Sequence, residues 1–184
     1  MRPRVLSPAG NGIVPAMSGV RVRHVLSGEH HLLRELRLAS LAANPEAFAS
    51  TYAEDAGQPA EWWQWWAAQS EDGTTQRTFV LVADDGRWLG LTLVRLDADK
   101  PGSAVLNAMW IAPEARGRRA AGVLCEACAK WAAERGCSEL TLTVVVDNQV
   151  AQRAYEGAGF AVRGKTTWSR DGRTLDEVVM ARSL

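Results

Sequence analysis

The sequence lacks an excess of charge of either sign. Lysine plus arginine and aspartate plus glutamate both number 21 in 184 residues, so the formal net charge is zero at pH 7. A general nucleic-acid-binding protein carries a basic excess, and this chain has none. No stretch approaches the roughly 18 uninterrupted apolar residues of a membrane-spanning helix. The composition therefore predicts neither a nucleic-acid partner nor a membrane partner.

Cysteine is also scarce, and its number is odd. The three cysteines, Cys125, Cys128 and Cys137, cannot form a complete set of disulfide bonds. The first two have the CxxC spacing that occurs in zinc and redox sites, but no second CxxC or nearby histidine completes a metal site. We interpret these thiols as small buried helix residues, expect no bound metal, and expect a reducing, cytoplasmic location.

The remaining composition is that of a folded domain with an atypical start. Apolar residues make up 47% and charged residues 23%, which predicts a packed core, and the length suits one domain. Three of the seven prolines fall within the first 17 residues, without a periodic apolar pattern. We therefore expect a disordered extension over residues 1–18 and a single domain over residues 19–184.

Apolar periodicity from Gly19 onward predicts an α/β fold. Predicted strands cover Val20–Val25, Phe79–Ala83, Trp88–Leu96, Ala104–Ile111, Leu140–Val146, Phe160–Ser169 and Leu175–Arg182. Predicted helices cover Glu29–Ala43, Pro59–Gln69, Arg118–Arg135 and Ala151–Ala158. The last two strands would form a hairpin about Asp171-Gly172. This order predicts a central mixed, mostly antiparallel sheet of six to seven strands flanked by about four helices.

The most informative segment joins the fourth predicted strand to the third predicted helix. The strand stops before Pro113, and a basic turn, Arg116–Ala121, leads into the helix. The first N–H groups of a helix have no intrahelical partner, and the helix dipole adds positive potential there. Gly117 has no Cβ, so the backbone can approach a ligand closely. Such a turn suits a bound pyrophosphate.

A second segment, Asn148–Phe160, follows the fifth predicted strand and completes a resemblance. The basic turn Arg116–Ala121 is similar to the pyrophosphate motif (Q/R)-x-x-G-x-(G/A) of the GNAT superfamily of acetyl-CoA-dependent N-acetyltransferases. The second segment resembles the motif N-x-x-A-x-x-x-Y-(E)-x-x-G-F of the same superfamily. The resemblance extends over roughly Val20–Leu184. It implies a GNAT-like fold, acetyl-CoA as the cofactor, and acyl transfer in a ternary complex.

The resemblance also implies roles for individual residues. Tyr155 would be the general acid that protonates the leaving thiolate, since a phenol with a pKa of about 10 matches a thiol leaving group; the alternative is a core aromatic. Asn148 would hold the pantetheine, cap the following helix, or do both. The backbone of Met109–Ile111 would pair with the pantetheine as an added strand. The implied cofactor-binding residues are Met109, Trp110, Ile111, Arg116, Gly117, Arg118, Arg119, Ala120, Ala121, Asn148, Ala151 and Tyr155.

Arg119 departs from the first motif, because the family most often has glycine at that position. An arginine fits if its dihedral angles are those of a right-handed helix, and its side chain could add an ionic contact. We expect the backbone amides of the turn to contribute more than any one side chain.

The general base is not identified by the resemblance. Some relatives have a glutamate on the fourth strand, where this chain has Ser103 and Asn107 and no carboxylate. Other candidates, each expected to be a surface residue, are Glu54, Asp55, His30 and His31.

Half of the eight tryptophans lie in the segment Trp62-Trp63-Gln64-Trp65-Trp66. At about 100° per residue their rings cover roughly 160° of one helix face. The rings either pack on the sheet or form an aromatic wall for an apolar or cationic acceptor, and in the family this region lines the acceptor site. The expected acceptor-binding residues are Phe48, Tyr52, Trp62, Trp66 and Asn107.

Together these features predict an N-acetyltransferase that acts on a primary amine of a small molecule. The chain would be a monomer or a homodimer. Two alternatives stay open: acetylation of a protein N-terminus or lysine, and a non-catalytic acyl-CoA-binding module.

Overall fold

Alternating apolar residues form seven strands in one sheet. The computed structural model describes residues 19–117, 119–170 and 172–184, so the expectations for residues 1–18, Arg118 and Asp171 lie outside the described residues. The strands are β1 (Val20–His24), β2 (Gln76–Ala83), β3 (Trp88–Leu96), β4 (Ser103–Ile111), β5 (Glu139–Val145), β6 (Ala161–Arg170) and β7 (Arg173–Ser183). Their order is β1-β2-β3-β4-β5-β7-β6. Only the β4–β5 pair is parallel. The predicted fold class is confirmed.

Five α-helices cover the two faces of this sheet. They are α1 (His30–Ala43), α2 (Tyr52–Ala56), α3 (Ala60–Asp72), α4 (Ala120–Ala133) and α5 (Gln149–Gly157). Within the described residues, no helix combines the length and apolar character needed to cross a membrane.

The predicted helices do not include α2, which the structure shows at Tyr52–Ala56. Thr51 precedes it as the N-cap, and the Thr51 Oγ1 accepts a hydrogen bond from the Glu54 backbone N–H at 3.3 Å. The Glu54 carboxylate accepts one in return from the Thr51 backbone N–H at 2.6 Å. This reciprocal capping box has the sequence signature T-x-x-E, which was available in the sequence.

Strand alternation assigns the two helical layers to opposite faces of the sheet. Val80 and Val82 of β2 pack with Leu33 of α1 and Trp63 of α3. The intervening Leu81 packs with Leu124 of α4. Successive side chains of a strand point to opposite faces, so α1 and α3 lie on one face and α4 on the other.

The three cysteines belong to the α4 layer and are buried free thiols. Burial raises the pKa of the Cys125 thiol from 9.0 to about 12, and that of Cys128 well above its ordinary value. Thiols of this kind stay protonated and unreactive at neutral pH.

The sheet opens between β4 and β5. The two strands pair only at Ser103–Val105 with Glu139–Thr141. Strand β5 continues to pair with β7 through Val145. The rest of β4, residues 106–111, has no described partner on its β5 side, so the two strands part in a splay.

A β-bulge lies at the start of the free part of β4. Leu93 pairs with Asn107, but Leu91 pairs with Trp110, so Ala108 and Met109 both lie opposite Thr92. Ala108 has a φ of 53°, in the left-handed region. Bulges bend a strand and locally disrupt its ladder. This one lies where β4 diverges from β5.

Candidate active site

The basic turn between β4 and α4 is held by side chains that face back into the protein. Arg116 Nε donates to the Ile111 carbonyl at 3.0 Å, and its Nη2 donates to Asn44 Oδ1 at 3.4 Å. The Trp110 indole N–H donates to the same Asn44 oxygen at 3.1 Å. Because the Arg116 side chain is directed at the end of β4, its backbone is the part of the residue left to face a ligand.

Arg119 has φ 58° and ψ 16°, which are left-handed dihedral angles. The condition under which an arginine would fit without strain, right-handed helical angles, is therefore not met. The chain reverses at the N-cap of α4, and a left-handed residue makes that reversal. Glycine adopts this conformation without steric cost, which explains its frequency in the motif.

The start of α4 has the features that a pyrophosphate requires. Among the described residues no side chain caps this helix, so its first backbone N–H groups are available to an anion. A Cβ added at Gly117 or Gly122 would meet no atom within 4 Å, so the space beside both glycines is open. The turn therefore fits a pyrophosphate group by its backbone.

Within the described part of the chain, the splay presents an unpaired strand edge beside this turn. Every second backbone amide and carbonyl of an edge strand points away from the sheet, and Met109–Ile111 lies on such an edge facing β5. An extended ligand with amide groups can pair with that edge as an added strand.

Asn148 caps α5, which is one of the two roles predicted for it. Its Oδ1 accepts from the Ala151 N–H at 3.1 Å. Gln152 Nε2 donates to the carbonyls of Val145 and Val146 at 3.2 and 2.7 Å. These contacts attach α5 to the end of β5, where the splay is widest.

Tyr155 of α5 lies in the core, where the residue is only 7% exposed. Its ring meets Phe160 edge-on at 5.9 Å, and it packs in the same apolar cluster as Cys125 and Cys128. Burial, with the two thiols as smaller contributions, raises the pKa of Tyr155 far above its usual value of 10.0. The phenol therefore keeps its proton across the neutral range, but its raised pKa no longer matches that of a thiol leaving group and makes it a weaker proton donor. The general-acid role stays a prediction.

A cavity of about 470 Å³ lies on the α1–α3 face of the sheet. Its aromatic lining consists of Phe48, Trp62, Trp65 and Trp66. Its strand lining comes from β2, β3, β4, β5 and β7 and includes Gln76, Arg95, Asn107, Ala108, Thr143 and Glu177. Because residues of both β4 and β5 line it, the cavity reaches the place where these strands part.

The four clustered tryptophans divide between the two roles considered for them. Trp63 is 1% exposed and stacks on Trp66 at 5.8 Å, and the Trp66 N–H donates to Thr78 Oγ1 at 2.9 Å. Trp62, Trp65 and Trp66 line the cavity, so Trp66 serves both roles, and Trp65 is 53% exposed. The sequence interpretation missed Trp65, since helical spacing alone does not show how α3 is rotated on the sheet.

Of the five expected acceptor-binding residues, Tyr52 is separate from the others. Phe48, Trp62, Trp66 and Asn107 line the one cavity. Tyr52 is 49% exposed and lies at a different surface groove, beside His31 and Arg34 of α1. It begins the unpredicted helix α2, which turns its ring away from the cavity.

Asp55 is buried, so the expectation that it lies at the surface is wrong. Arg37 Nε donates to Asp55 Oδ2 at 2.9 Å, and Arg37 Nη2 donates to Ser50 Oγ at 2.6 Å. The Arg37 guanidinium also lies over the Phe48 ring, 4.9 Å from its centroid. This arrangement fixes the α1–α2 connection over the cavity. Because the Asp55 carboxylate is paired with Arg37, it is not free to act as the general base.

The other base candidates do not line the cavity. Glu54 is engaged in the capping box of α2, and His30 and His31 lie at the start of α1. Two charged residues that the sequence interpretation did not select, Arg95 and Glu177, do line it. No local pattern marks them, because their placement depends on strand register between distant segments.

Comparisons with known proteins agree with this geometry. A model of the acetyltransferase (GNAT) family matches residues 35–160. The chain is 32% identical over 172 residues to a mycothiol acetyltransferase of Mycobacterium avium, covering 86% of this chain and 50% of that protein. It is 32% identical over 139 residues to a streptothricin acetyltransferase of Streptomyces lavendulae, covering 76% of this chain and 67% of that protein. The chain thus spans half to two thirds of the length of these relatives.

Among solved structures, the chain resembles an acetyltransferase of the GNAT family from Streptococcus pneumoniae. The TM-score is 0.74 at 18% identity, with 90% of this chain and 99% of that chain covered. At this identity the likeness shows the fold.

Proposed function

The chain belongs to the acetyltransferase (GNAT) family, and from this premise we propose that it transfers an acetyl group from acetyl-CoA to a primary amine of a small molecule. The observation that carries the proposal is the splay between β4 and β5 beside the uncapped start of α4. One extended ligand with a pyrophosphate at one end fits both features. A sheet edge and a helix N-terminus so arranged have no evident structural purpose of their own.

Donor binding would rest mainly on backbone groups. The N–H groups of Arg119, Ala120 and Ala121 would hold the pyrophosphate, with open space at Gly117. The free edge at Met109–Ile111 would hold the pantetheine. When bound, acetyl-CoA supplies an acetyl thioester, which is activated for transfer to nitrogen.

Tyr155 would supply the proton that the departing sulfur requires. The phenol is protonated at neutral pH, and it is carried by α5, the helix that Asn148 caps. Donation requires its pKa to be lower in the complex than burial makes it here. Positioned proton transfer of this kind contributes about 10²–10⁴-fold to a rate.

A small-molecule acceptor agrees best with the cavity. Its volume of about 470 Å³ lies within the usual range of small-ligand sites, about 300–1,000 Å³. Its walls are aromatic rings with a few charged groups, the composition typical of such sites. The two curated relatives are named for small molecules, mycothiol and streptothricin.

The test is release of free thiol from acetyl-CoA over a panel of small amines and peptides, with product mass as confirmation. We expect release with small primary amines and a mass gain of one acetyl group. Transfer to peptides alone would instead indicate a protein acetyltransferase. Binding of acetyl-CoA without transfer to any acceptor would indicate a non-catalytic module.

A further inference from the structure

We propose that the acceptor carries an anionic group as well as its amine, with Glu177 binding the ammonium and Arg95 binding the anion. The inference rests on the proposed function and defines the substrate class of the same cavity. The molecules it selects are amino carboxylates or similar zwitterions whose two charges lie several atoms apart.

Four charged side chains line the cavity, and two of them neutralise each other. Arg37 and Asp55 form a buried ion pair at 2.9 Å. Among the residues whose side chains the structure describes, none forms an ion pair or a side-chain hydrogen bond with Arg95 or Glu177. A cavity with one unpaired cation and one unpaired carboxylate is neutral overall and complements a neutral zwitterion.

Strand register keeps these two charges apart. Arg95 of β3 lies opposite Val105 of β4, which pairs with Thr141 of β5. Glu177 of β7 lies opposite Val145, four residues further along β5. Three interstrand steps of about 4.8 Å and four residues of about 3.3 Å separate the two Cα atoms by on the order of 20 Å. The splay adds to this distance, so the side chains cannot pair directly.

The position of each charge indicates which end of the acceptor it binds. The splay widens toward Val145, and Glu177 lies opposite that residue, near the proposed donor site. The reacting amine therefore belongs at Glu177. Arg95 lies at the closed end, where β4 and β5 still pair, and is left for the far end of the acceptor.

Aromatic rings line the cavity together with the polar strand residues Asn107 and Thr143. Trp62 and Trp65 of α3 line the cavity with Phe48, and aromatic faces suit methylene chains. An α-amino acid has both charges on one carbon and cannot reach both residues. An amino carboxylate with a chain of several methylenes can, and a diamine of the same length would place a cation at Arg95.

The experiment uses matched acceptors of equal length: ω-amino carboxylates, their carboxamides and the corresponding diamines, together with glycine. Values of kcat/KM and KM are measured for the wild-type chain and for Arg95→Gln and Glu177→Gln. Arg21→Gln is the matched control, because Arg21 is an exposed arginine of β1 that does not line the cavity. Calorimetry of the same acceptors with the coenzyme A-bound protein gives a readout that is independent of turnover.

The wild-type chain is expected to prefer carboxylate over carboxamide by about tenfold or more, mainly through KM, since charge-assisted hydrogen bonds are the stronger kind. Arg95→Gln should abolish that preference and leave the carboxamide unchanged. Glu177→Gln should raise KM for both, and Arg21→Gln should change neither.

Equal use of carboxylate, carboxamide and diamine by the wild-type chain would overturn the inference while leaving the acetyltransferase function intact. A carboxylate preference that survives Arg95→Gln would also overturn it. Absence of thiol release with every amine and peptide would instead count against the proposed function. In that case, calorimetric preference for the carboxylates would still support the two-charge cavity.

Discussion

At the scale of single residues, the role proposed for the Tyr155 hydroxyl differs from that of its ring. The ring packs on Phe160 in the core, and burial keeps the hydroxyl protonated. Tyr155→Phe preserves the ring and removes only the proton donor. We expect kcat at neutral pH to fall by about 10²–10⁴-fold, with little change in acetyl-CoA affinity.

The matched control for this substitution is Tyr52→Phe, the same change at the chain's other tyrosine, which lies outside the cavity. Its kcat should equal that of the wild-type chain. Steady-state thiol release measures both variants, and thermal unfolding checks that each is folded. Unchanged turnover in Tyr155→Phe would remove the general-acid assignment.

Arg119 is a second residue-scale feature, because its φ of 58° strains an ordinary side chain. A left-handed conformation costs an L-residue about 1–2 kcal/mol, and glycine avoids this at some cost in chain entropy. Arg119→Gly should therefore raise the free energy of unfolding by up to about 1 kcal/mol. Arg119→Ala, which loses the charge but keeps the Cβ, should not.

Urea unfolding of the two Arg119 variants measures this difference. Equal stability of both variants would mean that the left-handed angle carries no strain. Titration with coenzyme A in the same two variants measures the contribution of the guanidinium. Both variants lack that group, so a loss of coenzyme A affinity that both share is due to the missing charge.

At the scale of elements, strands β3 and β4 approach closely at Gly90. A Cβ added there would lie 2.9 Å from the Trp110 backbone oxygen, and a backbone atom cannot move aside as a side-chain tip can. Gly90→Ala should destabilise the fold by about 1–3 kcal/mol, the usual cost of overpacking. It should also displace the free edge of β4 and weaken coenzyme binding.

Gly164→Ala is the control, since Gly164 is also a strand glycine and an added Cβ there would meet nothing within 4 Å. Chemical unfolding and coenzyme A titration compare the two variants. A Gly90→Ala chain as stable as Gly164→Ala would contradict the close approach.

The elements also show what the sequence could and could not predict. Strand β3 has the predicted bounds, and β1 and α1 each differ from prediction by one residue, because apolar period and Pro or Gly boundaries are local signals. The bulge at Ala108 was not predicted, and the free strand edge at Met109–Ile111 was expected only from the family resemblance, since both depend on pairing between distant segments. The same reason explains why Arg95 and Glu177 were missed, whereas the tryptophan cluster was visible as a run.

At the scale of the whole molecule, the buried thiols and phenol should make the free energy of unfolding decrease at alkaline pH. The folded-state pKa of Cys125 is about 12 against an ordinary value of 9.0, and the pKa values of Cys128 and Tyr155 shift in the same direction. The unfolded chain therefore loses these protons first as pH rises. The stabilisation is complete below pH 9 and is lost as the pH rises from about 9 to 12.

Urea unfolding between pH 8 and 11 should show a free energy of unfolding that falls steeply above pH 9. Cys125→Ala removes one of these groups, so its slope in this range should be shallower. Equal slopes for the two chains would mean that the Cys125 thiol ionises equally well in both states.

The short joint between β4 and β5 divides the sheet into two blocks, β1–β4 and β5–β7, that share three residue pairs. In the proposed complex the coenzyme lies along the gap between β4 and β5 and bridges the two blocks. Binding of the coenzyme and the coupling between the two blocks are then thermodynamically linked: whatever strengthens one strengthens the other. Amides of residues 106–111 that face the gap should exchange with deuterium faster than those facing β3, and coenzyme A should remove the difference. The enzyme's donor would thus also be the strand that completes its sheet.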